Sequence, residues 1–538
     1  PITAQGKLIF VPSIMFASGS GDTSYNPHIQ TNIQDISLAA GFSGITEGGW
    51  DWDLSNTIGR NNFHYYGDGT FNASIIGSAS KTHFDDGGFN FLQNTTNLDF
   101  SKQFGKVNDG GVKVSYGGEI RYEAYGIFTG EVDSYKGYSN AFDQAPGSQG
   151  LPGFSPDDKI SKNRTVGGAY GDLEYTPNSA LLLTGAIRVE DYSDFGAVST
   201  FKTSFRYKMT DNFNVRGSFS TGYRAPSLQQ KYFSNTLTSF SNGQLVQSRV
   251  ANNDDPITAL AGIPKLKQET STNMSLGFSW KPAKGLTFTV DGYSIKMKDR
   301  VVLSGLFSAS DPSLPTALTS KLNALGVSTA QFFANAVNTT NTGVDFVIDY
   351  QKKISAKERF KILWVANFQN ITIDAIHVPA ALSTTEYNAN TFFNDREKYF
   401  LKASAPKSKY SMSFDYTKNK VSLGTRLTYF GSLALTGFGY NGDGINPQVP
   451  SDANENILLP EIFNYSGKVA TDLYLNVQVS KKTNWIVGAD NIFNVHPDFA
   501  VNPQAKWWAG DNETGGPWDG VQMGYNGMRI FSKLVFKF

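Results

Sequence analysis

The feature that most constrains this chain is an alternation of side chains with a period of two, running through almost its whole length. Between Val112 and Ala124, the residues Val112, Val114, Tyr116, Gly118, Ile120, Tyr122 and Ala124 share one face, and Lys113, Ser115, Glu119, Arg121 and Glu123 share the other. A helix would mix these sets; a strand separates them. The division recurs. Trp50, Trp52, Leu54 and Ile58 oppose Asp51, Asp53, Ser55 and Thr57, and Phe201, Thr203, Phe205 and Tyr207 oppose Lys202, Ser204, Arg206 and Lys208. Tyr410, Met412, Phe414 and Tyr416 oppose Lys409, Ser411, Ser413 and Asp415. About eighteen segments carry the pattern, at 7–17, 33–44, 50–60, 89–103, 111–125, 164–176, 180–190, 198–209, 212–224, 271–281, 286–298, 342–353, 359–373, 407–418, 420–431, 468–481, 484–493 and 526–538. Most run to about eleven residues, the length a tilted strand needs to cross a bilayer.

The segments come in pairs joined by tight polar turns such as Met209–Asn212, Lys281–Gly285, Lys418–Lys420 and Lys481–Asn484. Between pairs lie long stretches rich in Gly, Pro, Asn and Ser: 126–163, 225–270, 299–341, 374–406, 431–468 and 494–525, with 191–197 as a short exception. Long loops on one rim and short turns on the other predict an all-β fold, a transmembrane antiparallel β-barrel of the outer-membrane kind. No window reaches the roughly 18 consecutive apolar residues of a membrane helix. A barrel escapes that test, because each strand shows lipid only every second side chain. Aromatic residues stand at segment ends (Trp50, Trp52, Tyr65, Tyr66, Tyr207, Trp280, Tyr416, Tyr429 and Trp485), where they suit interfacial girdles better than a soluble core. In the last segment Ile530, Leu534, Phe536 and Phe538 oppose Arg529, Lys533 and Lys537, so the chain ends as a closing strand on an aromatic residue.

Composition excludes several functions. The chain has no cysteine, hence no disulfide framework and no thiolate metal site. Its 47 basic residues balance 47 acidic ones, which leaves no electrostatic footprint for nucleic acid. No nucleophile elbow, phosphate loop or zinc-protease motif is present, and His28, His64, His83, His377 and His496 are isolated in sequence. Carboxylate pairs such as Asp51/Asp53 and Glu119/Glu123 fall on the polar face of strands and read as lumen charges rather than a glycosidase pair. The reading is of a protein that is not an enzyme and holds no cofactor or metal. Asp443 and the acids Asp511, Glu513 and Asp519 could bind a divalent cation, but they lack the spacing of a calcium loop.

Several stretches, taken in order, resemble the C-terminal barrel of TonB-dependent outer-membrane receptors. They are Gly49-Trp50-Asp51-Trp52-Asp53-Leu54-Ser55 with Gly59-Arg60-Asn61; Gly150-Leu151-Pro152-Gly153-Phe154; Glu190-Asp191-Tyr192-Ser193-Asp194-Phe195-Gly196; and Ser220-Thr221-Gly222-Tyr223-Arg224-Ala225-Pro226-Ser227-Leu228. Further along come Leu266-Lys267-Gln268-Glu269-Thr270, Asp299-Arg300-Val301-Val302-Leu303-Ser304, Phe332 to Thr339, Gly488 to Asn494 and Gly524 to Met528. Gln268 stands where the family usually has Pro, and Trp507-Trp508-Ala509-Gly510-Asp511 looks particular to this chain. The resemblance implies a barrel of about 22 strands around an N-terminal plug. It therefore implies that residues 1–538 are barrel, aligned with the later strands, and that the plug, the TonB box and about four leading strands are not in this sequence, which opens on Pro1 without a Met.

The function so implied is active uptake, across the outer membrane, of a scarce bulky nutrient: a ferric siderophore, a corrinoid, a glycan or a peptide. TonB would act through the missing N-terminal segment. Other partners would be outer-membrane lipid, the barrel assembly machinery reading Phe538, the nutrient itself and, in some systems, a surface lipoprotein. Two alternatives stay open: a passive eighteen-stranded porin, and a receptor-like scaffold in a larger surface assembly. On the polar face, Arg188, Glu190, Arg206, Arg216 and Arg224 point to the lumen by parity. Arg224 and Glu269 are candidates to anchor the plug by charge-assisted hydrogen bonds, or else to pair with cross-strand neighbours. Candidate ligand contacts on the loops are Tyr135, Tyr138, Phe142, Tyr232, Phe233, Phe240, Phe438, Tyr440, Trp507, Trp508 and Trp518.

Overall fold

The protein is known here from a computed structural model, which describes residues 27–75, 80–138, 146–241, 244–404, 406–505 and 520–537, without the side chains of 237–246. The alternating segments form one antiparallel wall in which each strand pairs with the next. Its strands are β1 (His28–Ile45), β2 (Asp51–Asp68), β3 (His83–Lys106), β4 (Asp109–Thr129), β5 (Ile160–Thr176), β6 (Leu181–Tyr192), β7 (Gly196–Thr210), β8 (Phe213–Arg224) and β9 (Glu269–Ala283). It continues through β10 (Leu286–Leu303), β11 (Thr329–Ser355), β12 (Glu358–Ile376), β13 (Ser408–Lys418), β14 (Val421–Phe430), β15 (Lys468–Gln478), β16 (Thr483–Asp490) and β17 (Arg529–Phe536). Three loop strands, Asn235–Ser241, Gln244–Ala251 and Phe307–Ser308, bring the sheet to 20.

These wall strands match the expected segments one for one from 33–44 onward; segment 7–17 and Phe538 lie outside the described residues. From β1 to β12, β8 apart, the strands overrun the expected ends toward the long-loop rim. β11 begins at Thr329 instead of 342, so the Phe332-to-Thr339 motif is strand rather than loop. Short connections on one rim need little room: Asn108 and Asn419 turn the chain with φ of 66° and 54°, a conformation Asn tolerates better than most residues. Between β6 and β7 only Ser193, Asp194 and Phe195 intervene, as expected for the short exception on the long-loop rim.

Burial is inverted relative to a water-soluble domain. Outward positions expose large apolar groups, with Ile120, Leu276 and Ile530 at 66%, 62% and 72%. Inward positions bury charge: Glu123, Arg164 and Glu190 are each 5–6% exposed. That is the division a lipid-facing wall around a polar lumen requires. No helix among the described residues is long and apolar enough to cross a membrane. Apolar packing concentrates instead in the long loops. The largest cluster joins Ile257, Leu318, Leu322, Phe332, Leu382 and Phe392 from four stretches of chain.

A charged lumen wall under two folded loops

The register brings distant inward residues together. Glu119 of β4, Gly168 of β5 and Glu190 of β6 lie side by side, as do Glu123 and Arg164 four residues nearer the loops. Arg121 reaches Glu119 at 3.0 Å and Glu123 at 3.1 Å, while Arg188 bridges Glu119 at 3.0 Å and Glu190 at 2.6 Å. Arg164 holds Glu123 at 2.6 Å and also donates to the Pro226 carbonyl at 2.7 Å. Glu190 accepts further from the hydroxyls of Tyr192, at 2.7 Å, and of Tyr223. Lys231, on the short helix Leu228–Tyr232, reaches Asp194 at 2.6 Å. Bases and acids thus alternate across β4, β5 and β6 and onto the loop after β8. Each buried charge of this network has an opposite partner, the condition for keeping it buried.

Above this network, two loops fold inward. Phe154, from the Gly150–Phe154 motif, packs with Tyr125, Ile127 and Leu228, with Tyr65, Phe89, Tyr232 and Phe233 around them. Tyr65 therefore faces the lumen rather than a lipid girdle: parity puts it beside Phe63 and Phe89, and the ring of Phe154 lies 6.4 Å away. Tyr66 faces outward and stacks on His64 and His83. The first loop is fixed by Asp86, on β3 beyond its membrane-crossing part and 1% exposed. The Asp86 carbonyl accepts from the Phe154 amide at 2.9 Å, and its carboxylate accepts from the Ser148 hydroxyl at 3.0 Å. Its second carboxylate oxygen is buried without a hydrogen-bond partner.

The expected site residues divide into spent and available groups. Arg188 and Glu190 belong to the network. Arg216 chelates Asp291, two strands away on β10, with its Nε 2.8 Å from the carboxylate. Glu269 is 4% exposed, and its Oε1 accepts from the Val301 amide at 2.8 Å, so its first role is within the wall. Arg224 lies 3.9 Å from Glu269 but leaves 64% of its side chain exposed. Arg206 is exposed beside Arg216 and has no ion-pair partner among the described residues. Of the expected site residues, Arg206 and Arg224 are the cations left without a close partner.

On the loops, Tyr232 and Phe438 are packed under cations: Lys162 stands 4.8 Å over Tyr232 and Arg396 stands 4.2 Å over Phe438. Tyr135 is half-buried, Tyr138 donates to Asp133, and Tyr440 is 53% exposed. Phe142, Trp507, Trp508 and Trp518 lie outside the described residues, as does the side chain of Phe240. Asp443 caps its own turn at the Ile445 amide and accepts from Tyr387 at 2.9 Å, and no metal-type cluster occurs among the described residues. Sequence reasoning missed Arg164 and Lys231. Parity marks Arg164 as inward, and adding one register offset to β4 places it opposite Glu123. Lys231 sits on a loop helix that parity does not reach.

The family profile "TonB dependent receptor-like, beta-barrel" matches residues 10–495. Among solved structures, the siderophore receptor PirA from Acinetobacter baumannii is similar at 14% identity and TM-score 0.58, covering 94% of this chain and 63% of its own. The pyoverdine outer-membrane receptor FpvA from Pseudomonas aeruginosa follows at 11% and 0.55, with 98% and 65% covered. The FrpB iron transporter from Neisseria meningitidis stands at 12% and 0.54, with 95% and 63% covered. The likeness is one of fold, and the chain spans less than two thirds of these structures' length.

Proposed function

From the premise that this chain belongs to the TonB-dependent receptor β-barrel family, and so lies in the outer membrane and is not an enzyme, we propose that it serves TonB-driven uptake of a scarce bulky nutrient. The carrying observation is the family match along nearly the whole wall. Among candidate cargoes, a ferric siderophore has the support of the neighbours' names, and a corrinoid, glycan or peptide remains an alternative. A plug, on an upstream segment, would seat in the lumen against Arg206 and Arg224. It would be displaced when TonB pulls on it. The barrel does no chemistry; it provides the wall, the entry loops and the closure.

The test is growth and uptake by the full-length protein in cells with and without TonB, using labelled ferric siderophores and a corrinoid. Uptake that needs both the protein and TonB supports the proposal. Uptake or conductance indifferent to TonB overturns it in favour of a passive porin, and stoichiometric co-purifying chains without uptake favour the scaffold.

A further inference from the structure

The chain carries no net charge, yet its short-turn rim is not neutral. From β9 onward the turns bear Lys281 and Lys284, then Lys352, Lys353, Lys357 and Arg359, then Lys418 and Lys420, then Lys481 and Lys482. All are exposed, and none makes an ion pair among the described residues. The one acid on these turns, Glu358, already accepts the Tyr416 hydroxyl. Across the rim, the first four turns mix signs, with Glu47, Asp109 and Asp211 among Lys106 and Lys208. Free cations are thus gathered on one arc.

Their placement follows the lipid-facing register. Tyr350 and Tyr416 point outward near the turns, and the next outward residues on the same strands are Lys352 and Lys418. On β16, Trp485 is outward and 41% exposed, and Lys481 stands in the turn four residues before it. On β9, Trp280 precedes the turn lysine Lys284. On β11 and β13 the lysine follows the aromatic residue by about 7 Å along the strand, and beside β9 and β16 it stands four residues from the tryptophan, in the turn; this is the order of a bilayer edge, ring in the interface and phosphate just beyond. Between the β9–β10 and β11–β12 turns the arc folds into a cleft of about 1110 Å³, whose lining includes Tyr350, Lys284, Lys352 and Lys357 together with Glu358, and Lys353 and Arg359 from the inward parity.

We propose that this arc, centred on the cleft, binds the phosphate headgroups of anionic phospholipid in the periplasmic leaflet, where the short turns of such barrels lie. The lysine stems run along the apolar wall and extend their ammonium groups to the headgroup level. A headgroup phosphate there gains several cations at once. An acidic soluble protein would have no use for the aromatic–lysine register.

The test uses the full chain reconstituted in phosphatidylcholine vesicles, with spin-labelled phosphatidylglycerol or phosphatidylcholine as the probe of first-shell lipid. The expected result is selectivity for phosphatidylglycerol of at least about five-fold at low salt, the size one near-surface lysine gives. It should fall toward unity in Lys284→Gln/Lys352→Gln/Lys357→Gln and be kept in Lys106→Gln. Selectivity of the unaltered protein should also drop in high salt, a measurement that needs no variant. Equal selectivity in the folded triple variant overturns the proposal. So does displacement of the labelled lipid by millimolar inorganic phosphate, which would mark a free-anion site. Binding of soluble polyglutamate with no lipid preference overturns it in favour of an acidic protein partner.

Discussion

Tyr170 of β5 donates its hydroxyl to Asp99 of β3, 2.7 Å away, across Gly117 of the strand between them. The glycine is what lets the two meet: a Cβ at 117 would lie 2.3 Å from the Asp99 carboxylate and 2.7 Å from the Tyr170 ring. The same device appears at Arg216–Gly277–Asp291, where a Cβ at 277 would fall 2.0 Å from the carboxylate. A bare strand is thus covered by a side chain from one neighbour, hydrogen-bonded to the other. Gly117→Ala forces both partners aside, whereas Tyr170→Phe removes one hydrogen bond and keeps the ring over the glycine. We expect Tyr170→Phe to cost about 1–2 kcal/mol and Gly117→Ala to cost more, read from urea unfolding of the folded barrel. Equal, negligible effects would sink this account.

Arg164 and Glu123 form the most buried pair of the lumen wall, with 6% and 8% of their side chains exposed. Removing one member of such a pair costs about 3–5 kcal/mol where the other is left stranded, whereas replacing both is far milder; Glu123 keeps Arg121 at 3.1 Å, so the loss on removing Arg164 lies at the lower end of that range. Arg164→Met should therefore be strongly destabilising and Glu123→Gln/Arg164→Met largely restored. Because Arg164 also holds the Pro226 carbonyl, the loop after β8 should become protease-sensitive in both variants. A double variant as unstable as the single would show that the pair is not the relevant unit.

The wall was readable from the sequence because one face of each strand meets lipid, which enforces alternation, and because turns recur between paired segments. Parity assigns Arg188, Glu190, Arg206, Arg216 and Arg224 to the polar face, and the register brings Arg188 and Glu190 together there. Parity failed where strands rise beyond the bilayer. There both faces can be covered, and β11 runs on through Phe332 with no lipid to shape its pattern; at Tyr65 parity is right, and it is the reading of strand-end aromatics as a lipid girdle that gives way, because the ring packs under Phe154. Partners two strands apart, such as Arg216 and Asp291, need register, and helix residues such as Lys231 need tertiary folding; neither is written in a period of two.

Asp86 gives the loop above the lumen a dependence on pH. Burial pushes its carboxyl up to about 7; the Ser148 hydrogen bond works against this, and Asp85 and Glu131 add to the rise. An unfolded Asp titrates near about 3.9. The docked loop therefore holds a proton that the opened loop releases. Its stabilisation is complete below the unfolded value and is lost as pH rises through about 7. Hydrogen exchange at the Gly130, Ser148 and Phe154 amides, corrected for intrinsic rates, should show protection falling from about pH 4 to about pH 7 and level above that. Asp86→Asn should flatten that slope. The same slope in the Asn variant would assign the titration elsewhere.

Arg206 and Arg224 separate function from stability. Both face the lumen with free or nearly free guanidinium groups, whereas Glu269 is tied to the Val301 amide. If the two arginines seat a plug, Arg206→Gln/Arg224→Gln removes charge-assisted hydrogen bonds, each about 1.5–3 kcal/mol, from the plug interface but little from the barrel. Unfolding of the wall should stay within about 0.5 kcal/mol, while TonB-dependent uptake should fall several-fold or the resting barrel should leak small solutes. Glu269→Ala should do the reverse, weakening the wall by about 1–3 kcal/mol by leaving the Val301 amide without its acceptor, with uptake per folded molecule unchanged. Normal uptake and a sealed lumen in the double arginine variant would leave these cations as solvated wall charges and remove them from the plug contact.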